Sequence, residues 1–159
     1  MLRTVVLALA SGCSWVFPLE ESACPASYTT VIGDSKYRRM TQPNTFSSAA
    51  ESCFDEGTHL AVIADDTERL AVGIMFDANG DWIGMHDRND DGVFTILSDE
   101  ATNYPPTTGS LWVGGGLNGA NCVALGMNGL FIGAGCMETR PATCECDRYR
   151  ENDSWRDGD

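Results

Sequence analysis

The chain is poor in positive charge. Ten arginines and lysines stand against 23 acidic residues, and Lys36 is the only lysine. The formal net charge of −13 repels phosphate backbones, so nucleic acid is not an expected partner. Histidine is scarce as well: His59 and His86 are the two present, which excludes a multi-histidine metal centre. No apolar run reaches the ~20 residues that span a bilayer. There is no Gly-x-Ser-x-Gly, no glycine-rich loop ending in Gly-Lys and no His-Glu-x-x-His. Neither histidine has a nucleophile beside it in a recognisable pattern, so the expectation is a protein that is not an enzyme. A length of 159 residues leaves room for one domain and a short appendage.

Cysteine, by contrast, is abundant. Seven in a chain this size is an odd number, and one therefore needs a separate use. Arg3 followed by the apolar run Thr4 to Ala10, and then Ala10-Ser11-Gly12-Cys13, resembles a bacterial lipobox. In that reading residues 1–12 are a signal peptide of the lipoprotein type, Cys13 is lipidated, and residues 13–23 are a tether. The alternative is a plain secretory signal or a frayed hydrophobic end with a chance cysteine. The expectation is that the chain leaves the cytoplasm for a compartment where disulfides persist. The expected location is the outer membrane or cell surface as a lipoprotein, or otherwise secretion. Membrane contact is expected only through the lipid anchor.

Six cysteines remain: Cys24, Cys53, Cys122, Cys136, Cys144 and Cys146. Cys144-Glu145-Cys146 is the one close pair, and its single intervening residue is fewer than the roughly two to four of zinc sites. A disulfide framework is the better reading.

Local patterns give a mixture of helices and short strands. Tyr28 to Ile32 alternates and is β-branched, hence a strand. Phe46, Ala49, Ala50 and Cys53 fall on one face of a helix over 45–56, capped by Asn44 or Thr45 and ended by Gly57. Leu60 to Ile63 reads as a buried extended stretch. Asp65 followed by Glu68 forms a capping box for a second helix, with Leu70, Ile74 and Met75 expected inward. Trp82-Ile83-Gly84, Phe94 to Leu97, Cys122 to Leu125, Leu130 to Ile132 and Thr143 to Cys146 read as further strands. Residues 98–121 have little periodicity, and a stretch of that kind is usually functional. Residues 148–159 read as a polar, frayed tail. His59 is expected to be packed, and His86 to be exposed at a strand edge.

Over residues 24–147 the order of these residues resembles the C-type lectin-like domain. Carrying the resemblance are Cys24-Pro25 and Tyr28; Ala50, Cys53 and Gly57; His59 to Ile63 and Glu68; Trp82-Ile83-Gly84; Asp87, Gly92 and Phe94; and Cys122-Val123, Asn128-Gly129, Cys136 and Cys144-Glu145. The resemblance implies an α+β fold, with two helices flanking short antiparallel sheets, a long irregular loop and disulfides. It implies the bridges Cys53–Cys144 and Cys122–Cys136. Cys24 and Cys146 flank strands that lie side by side in that fold, and they complete the pairing as a third bridge.

Sugar-binding members hold calcium with a Glu-Pro-Asn or Gln-Pro-Asp triplet, a further Glu, and Trp-Asn-Asp. Counting back from Cys122, Trp112-Val113-Gly114 stands in the first slot and Ala120 in place of the Glu. Counting back from Cys136, Phe131-Ile132-Gly133 replaces Trp-Asn-Asp. Calcium prefers six to eight oxygen ligands, several of them charged, so calcium is not expected at that site. No cofactor is expected. Candidate ligand-binding residues are Trp112, Asn118, Asn121, Asn128 and Phe131; Trp112 can be read either as core or as an exposed stacking platform. The turn Asp87 to Gly92 imitates half of an EF-hand loop, making Asp87, Asn89 and Asp91 a weak metal candidate, but the twelfth position is Ser98 rather than Glu. A purely structural turn is the other reading.

The function expected is recognition of a carbohydrate or protein ligand at a cell surface, without the usual calcium site. The alternatives are a calcium-dependent lectin with a displaced site and a structural envelope lipoprotein.

Overall fold

The computed structural model describes residues 24–76, 78–100, 104, 109–116, 119–149 and 151–152. The expected signal peptide, the tether with Cys13, Asn118 and the last residues of the tail lie outside them. The elements run β1 (Thr30–Ile32), β2 (Ser35–Asn44), α1 (Phe46–Phe54), β3 (His59–Leu60), α2 (Asp66–Gly73), β4 (Asp81–His86), β5 (Thr95–Ile96), β6 (Cys122–Leu125), β7 (Phe131–Ala134) and β8 (Arg140–Cys146). This is the α+β arrangement expected. The strands form one sheet in the order β1-β2-β8-β4-β6-β7, with β3 paired to β8 and β5 to β4. Among the described residues every strand-to-strand pairing is antiparallel except the contact of Trp82 in β4 with Ala142 in β8; an isolated bridge from Trp112 to Phe131 is also parallel.

Helix α1 follows its sequence pattern. Thr45 is the N-cap, its hydroxyl accepting from the Ser48 N–H at 3.4 Å, and Phe46, Ala49, Ala50 and Cys53 are buried. Their partners include Leu60, Trp82, Leu97 and Cys144. A second cluster, on Tyr37, Ile63, Val72, Ile83, Trp112, Leu125 and Phe131, completes the core. Strand β4 is buried along its whole length. Gly84 is required there: a Cβ at that position would lie 2.5 Å from the Leu60 carbonyl oxygen. Asp81, fully buried at the strand's start, is held by Arg39 through two hydrogen bonds of 2.6 and 2.7 Å.

All three bridges form: Cys24–Cys146, Cys53–Cys144 and Cys122–Cys136. The second ties α1 to the last strand across 91 positions.

Three expectations need correction, and one strand had no counterpart among them. The ten-residue strand β2 carries no alternating apolar signal, because its face away from the core is polar; its order comes from pairing with both β1 and β8. Helix α2 turns a different face inward. Leu70 and Ile74 are exposed, whereas Arg69, Val72 and Gly73 are buried and Met75 is half-buried. Gly73 lets the helix approach backbone to backbone, since a Cβ there would lie 2.6 Å from the Gly129 nitrogen. The Arg69 guanidinium donates to the Gly129 carbonyl at 2.8 Å and locks that rotation. His86 is buried at 4% exposure and packs edge-on against Phe46. The tail folds back rather than fraying at once: the Asn152 N–H donates to the Leu97 carbonyl at 2.9 Å, and its side chain donates to the Ile96 and Ser98 carbonyls.

Candidate functional site

Trp112 enters the core through a bend in the chain. Its N–H donates to the Gly109 carbonyl, and Gly114 and Gly115 follow with positive φ, so the backbone doubles back. The indole is only 4% exposed, stacked on Phe94 at 5.4 Å and tilted against Phe131 at 5.3 Å. Phe131 is fully buried. These two aromatic candidates are therefore packing residues rather than platforms for a ligand. The sequence favours this arrangement because Trp112 pairs with Phe131 along the sheet edge, where both rings find apolar neighbours.

Above this packing lies a shallow cleft of about 620 Å³. Its wall is largely backbone, from Gly116, Gly119, Gly133 and Gly135, with Arg88, Asn121, Met137 and Glu138 at the edges. Of the five ligand candidates, Asn121 lines this cleft. Asn128 sits apart from its lining, exposed with φ +69°, in the turn Met127–Gly129, where its carbonyl accepts from Arg69. Of the residues that counting back from the cysteines sets against the calcium slots, Trp112, Gly114, Ala120, Ile132 and Gly133, two line the cleft: Ala120 and Gly133. Arg88 and Met137 carried no sequence signal; strand pairing brings them to the cleft.

The acidic turn holds itself together. Asp87 is 3% exposed, and its two carboxylate oxygens accept from the Asp91 and Gly92 N–H groups at 3.1 and 3.0 Å. Asp91 accepts from the Val93 N–H and from the Asn89 side-chain amide, both at 2.8 Å. Asp90 and Gly92 supply the positive φ angles the turn needs. The carboxylate oxygens of Asp87 and Asp91 are thus engaged by the turn's own hydrogens.

A second cavity, of about 840 Å³, opens at the end of β8. Tyr37 and His59 both lie in register with Glu145, since β2 and β3 each pair with β8. The Tyr37 hydroxyl lies between Glu68 and Glu145, 3.0 Å from the latter. The other Glu145 oxygen accepts from the Val62 N–H at 3.0 Å, and the other Glu68 oxygen from Ala64 at 2.7 Å. The expected capping box is thus half made. Asp65 caps the Glu68 N–H at 2.9 Å, but the Glu68 carboxyl turns to Ala64 and Tyr37. Burial, assisted by the neighbouring Glu68, pushes Glu145 up to about 7 against the charge of His59, and Glu100 rises to about 7 through burial and the charges of Glu68 and Asp147. Burial alone would lower His59; its contacts with Asp147, Glu145 and the Leu60 carbonyl overcome that and raise it to about 9.

Among the described residues, one set of three histidine and carboxylate side chains lies close enough to share an ion: His59, Glu145 and Asp147, with ligand atoms within 4.8 Å of one another. The imidazole is unsuited to it. Nδ1 faces the Leu60 carbonyl at 2.9 Å and Nε2 faces the Asp147 carboxylate at 3.2 Å. Both partners are acceptors, so both nitrogens carry hydrogen and neither offers a lone pair.

The model of the lectin C-type domain family matches residues 42–146. The chain belongs to the C-type lectin domain family. Domains of this family are generally non-enzymatic binding modules, and disulfide-rich ones are typically extracellular or secreted. No curated protein matches the sequence. Among solved structures, human lithostathine is 18% identical, covers 86% of this chain and 99% of its own, and superposes with a TM-score of 0.66. A calcium-independent type II antifreeze protein is 20% identical over 77% and 93%, with a TM-score of 0.64. The carbohydrate-recognition domain of the mouse scavenger receptor C-type lectin is 20% identical over 79% and 97%, with a TM-score of 0.58. At these identities the likeness establishes the fold. Among the described residues no helix is long and apolar enough to cross a membrane.

Proposed function

We propose that this C-type lectin domain is an extracytoplasmic recognition module that binds a glycan or a protein ligand without the calcium ion its sugar-binding relatives use. What supports the reading is that Trp112, Gly114, Ala120, Ile132 and Gly133 stand where counting back from Cys122 and Cys136 puts the calcium slots. A shell of this composition supplies no negative charge to a divalent cation. What it supplies is backbone that a ligand can approach closely, bordered by the Asn121 amide, the Arg88 cation and the exposed thioether of Met137. A structure neighbour described as a calcium-independent antifreeze protein is consistent with a member of this fold working without the ion. The proposal includes a bacterial-type lipid anchor on Cys13, which would hold the module at a membrane surface.

The test is binding to panels of immobilised glycans and cell-surface proteins, comparing the parent chain with Met137→Asp and Asn121→Ala. Met137 is 83% exposed, so its replacement leaves the fold intact. Binding should weaken at least about tenfold, as expected for losing a contact worth about 1.4 kcal/mol. Undiminished binding by both variants would move the site elsewhere on the domain.

A further inference from the structure

Beside the cavity at the end of β8, the Tyr37 hydroxyl meets more acceptors than its one hydrogen can serve. Tyr37 carries one hydroxyl hydrogen. Oxygens of both Glu68 and Glu145 approach that hydroxyl, while the second oxygen of each is taken by a backbone N–H and Glu145 also receives a hydrogen bond from the Ser35 side chain. One carboxylate takes the phenol's hydrogen. The other keeps its contact only by donating a proton of its own to the phenol oxygen, because two bare oxygens at this distance repel. The glutamate pair therefore holds one proton that two ordinary carboxylates would have lost at neutral pH. His59 holds a second, since both its nitrogens face acceptors.

The surroundings are strongly acidic. Glu100 faces the cluster from the segment after β5 and Asp147 from the residue after β8; Asp34 and Asp65 stand in the cavity wall, and Arg148 is the cation at the rim. Two of these carboxylates belong to segments that dock on each other. Asp147 begins the strap, described at residues 147–149 and 151–152, where it accepts from the Tyr149 N–H at 2.7 Å. Glu100 ends the stretch to which that strap is tied by Asn152 and by the pairing of Glu151 with Ser98.

We propose that the Tyr37, Glu68, Glu145 and His59 cluster is a proton-operated latch for the C-terminal strap. With both protons in place, residues 147–149 lie docked at the cavity and residues 151–152 stay tied to residues 96–98. When the protons leave, repulsion among Glu68, Glu100, Glu145 and Asp147 releases the strap and opens the cavity. The direction of the titrations agrees. Glu145 and Glu100 are raised to about 7 and His59 to about 9, so each group binds its proton more tightly in the folded form. A stabilisation of that sign is complete below the unfolded values and is lost as pH rises through the folded ones. The window is therefore about pH 7 to 9.

Two readouts on the unaltered protein test the latch: carboxyl carbon shifts by NMR, and amide exchange protection, corrected for the intrinsic pH dependence of exchange. One glutamate of the Glu68 and Glu145 pair should titrate near pH 7. Protection of the Asn152 amide should fall at least about tenfold between pH 6 and 9, while that of Ala61, bonded to the Thr143 carbonyl inside the sheet, stays constant. In Glu145→Gln, whose neutral amide can donate to Tyr37 and accept from Val62, the strap should stay protected to about one pH unit higher. If both glutamates titrate in the ordinary carboxylate range, or if Asn152 protection is unchanged across the window, the latch is refuted, whether or not the variant folds.

Discussion

Replacing Asp87 by alanine should cost about 3 kcal/mol, and by the same amount with or without calcium. Two hydrogen bonds from backbone N–H groups to a carboxylate are lost, each worth roughly 1.5–3 kcal/mol. The lower value applies because Asp91 and Gly92 are exposed and their freed N–H groups gain water. Asp87→Asn keeps one acceptor oxygen and turns a donor toward the other N–H, so it should cost about half as much, roughly 1.5 kcal/mol. Urea unfolding of the three proteins, in millimolar calcium and again with chelator, gives the comparison directly, with an unchanged slope confirming a true change in stability. The reasoning fails if the deficit of Asp87→Ala appears only when calcium is present. That result would make Asp87 a metal ligand and the turn an ion site.

Three further outcomes follow from the packing. Gly84→Ala should destabilise by about 3 kcal/mol in a thermal melt, because its new Cβ meets the Leu60 backbone, which cannot yield as a side-chain tip would. Removing the Cys53–Cys144 bridge by a double serine substitution should cost about 4–5 kcal/mol, against about 3 for Cys122–Cys136, as chain entropy requires for loops closed across 91 and 14 positions; equal losses would contradict that account. His86 is buried and its ring nitrogens find no hydrogen-bond partner among the described residues; burial first, then the charge of Arg88, lowers it to about 4. A depressed histidine weakens the fold as pH falls below its unfolded value near 6.5, so His86→Phe should gain about 2 kcal/mol over the parent at pH 5 and less at pH 7.

What the chain reveals before folding depends on how local the cause is. Helix α1 was legible because Phe46, Ala49, Ala50 and Cys53 keep a helical period and Thr45 offers a cap, all within one stretch. Strand β4 was legible from the apolar run around Trp82. Helix α2 was not oriented correctly, since periodicity alone favoured Leu70 and Ile74. The deciding contact is Gly73 against Gly129, whose partner lies far along the sequence. Strand β2 was hidden by its polar residues and is ordered by neighbours on both sides. The site divides in the same way. The expectation that the calcium slots hold no carboxylate came from counting back from cysteines along the sequence. Trp112 could be read as core or platform, and only its contacts with Phe94 and Phe131 decide for core. The meeting of Tyr37, His59, Glu68 and Glu145 was invisible, because the register of β2, β8 and β3 alone joins residues so far apart.

The central claim is recognition without calcium. Its most direct test is one glycan and protein array probed twice with the same preparation, first in millimolar calcium and then in chelator. The account predicts the same bound ligands in both, with intensities that agree within about twofold, a difference of only ~0.4 kcal/mol. Binding that disappears in chelator and returns when calcium is restored would contradict it, and would make the domain a calcium-dependent lectin whose ion sits outside the usual slots.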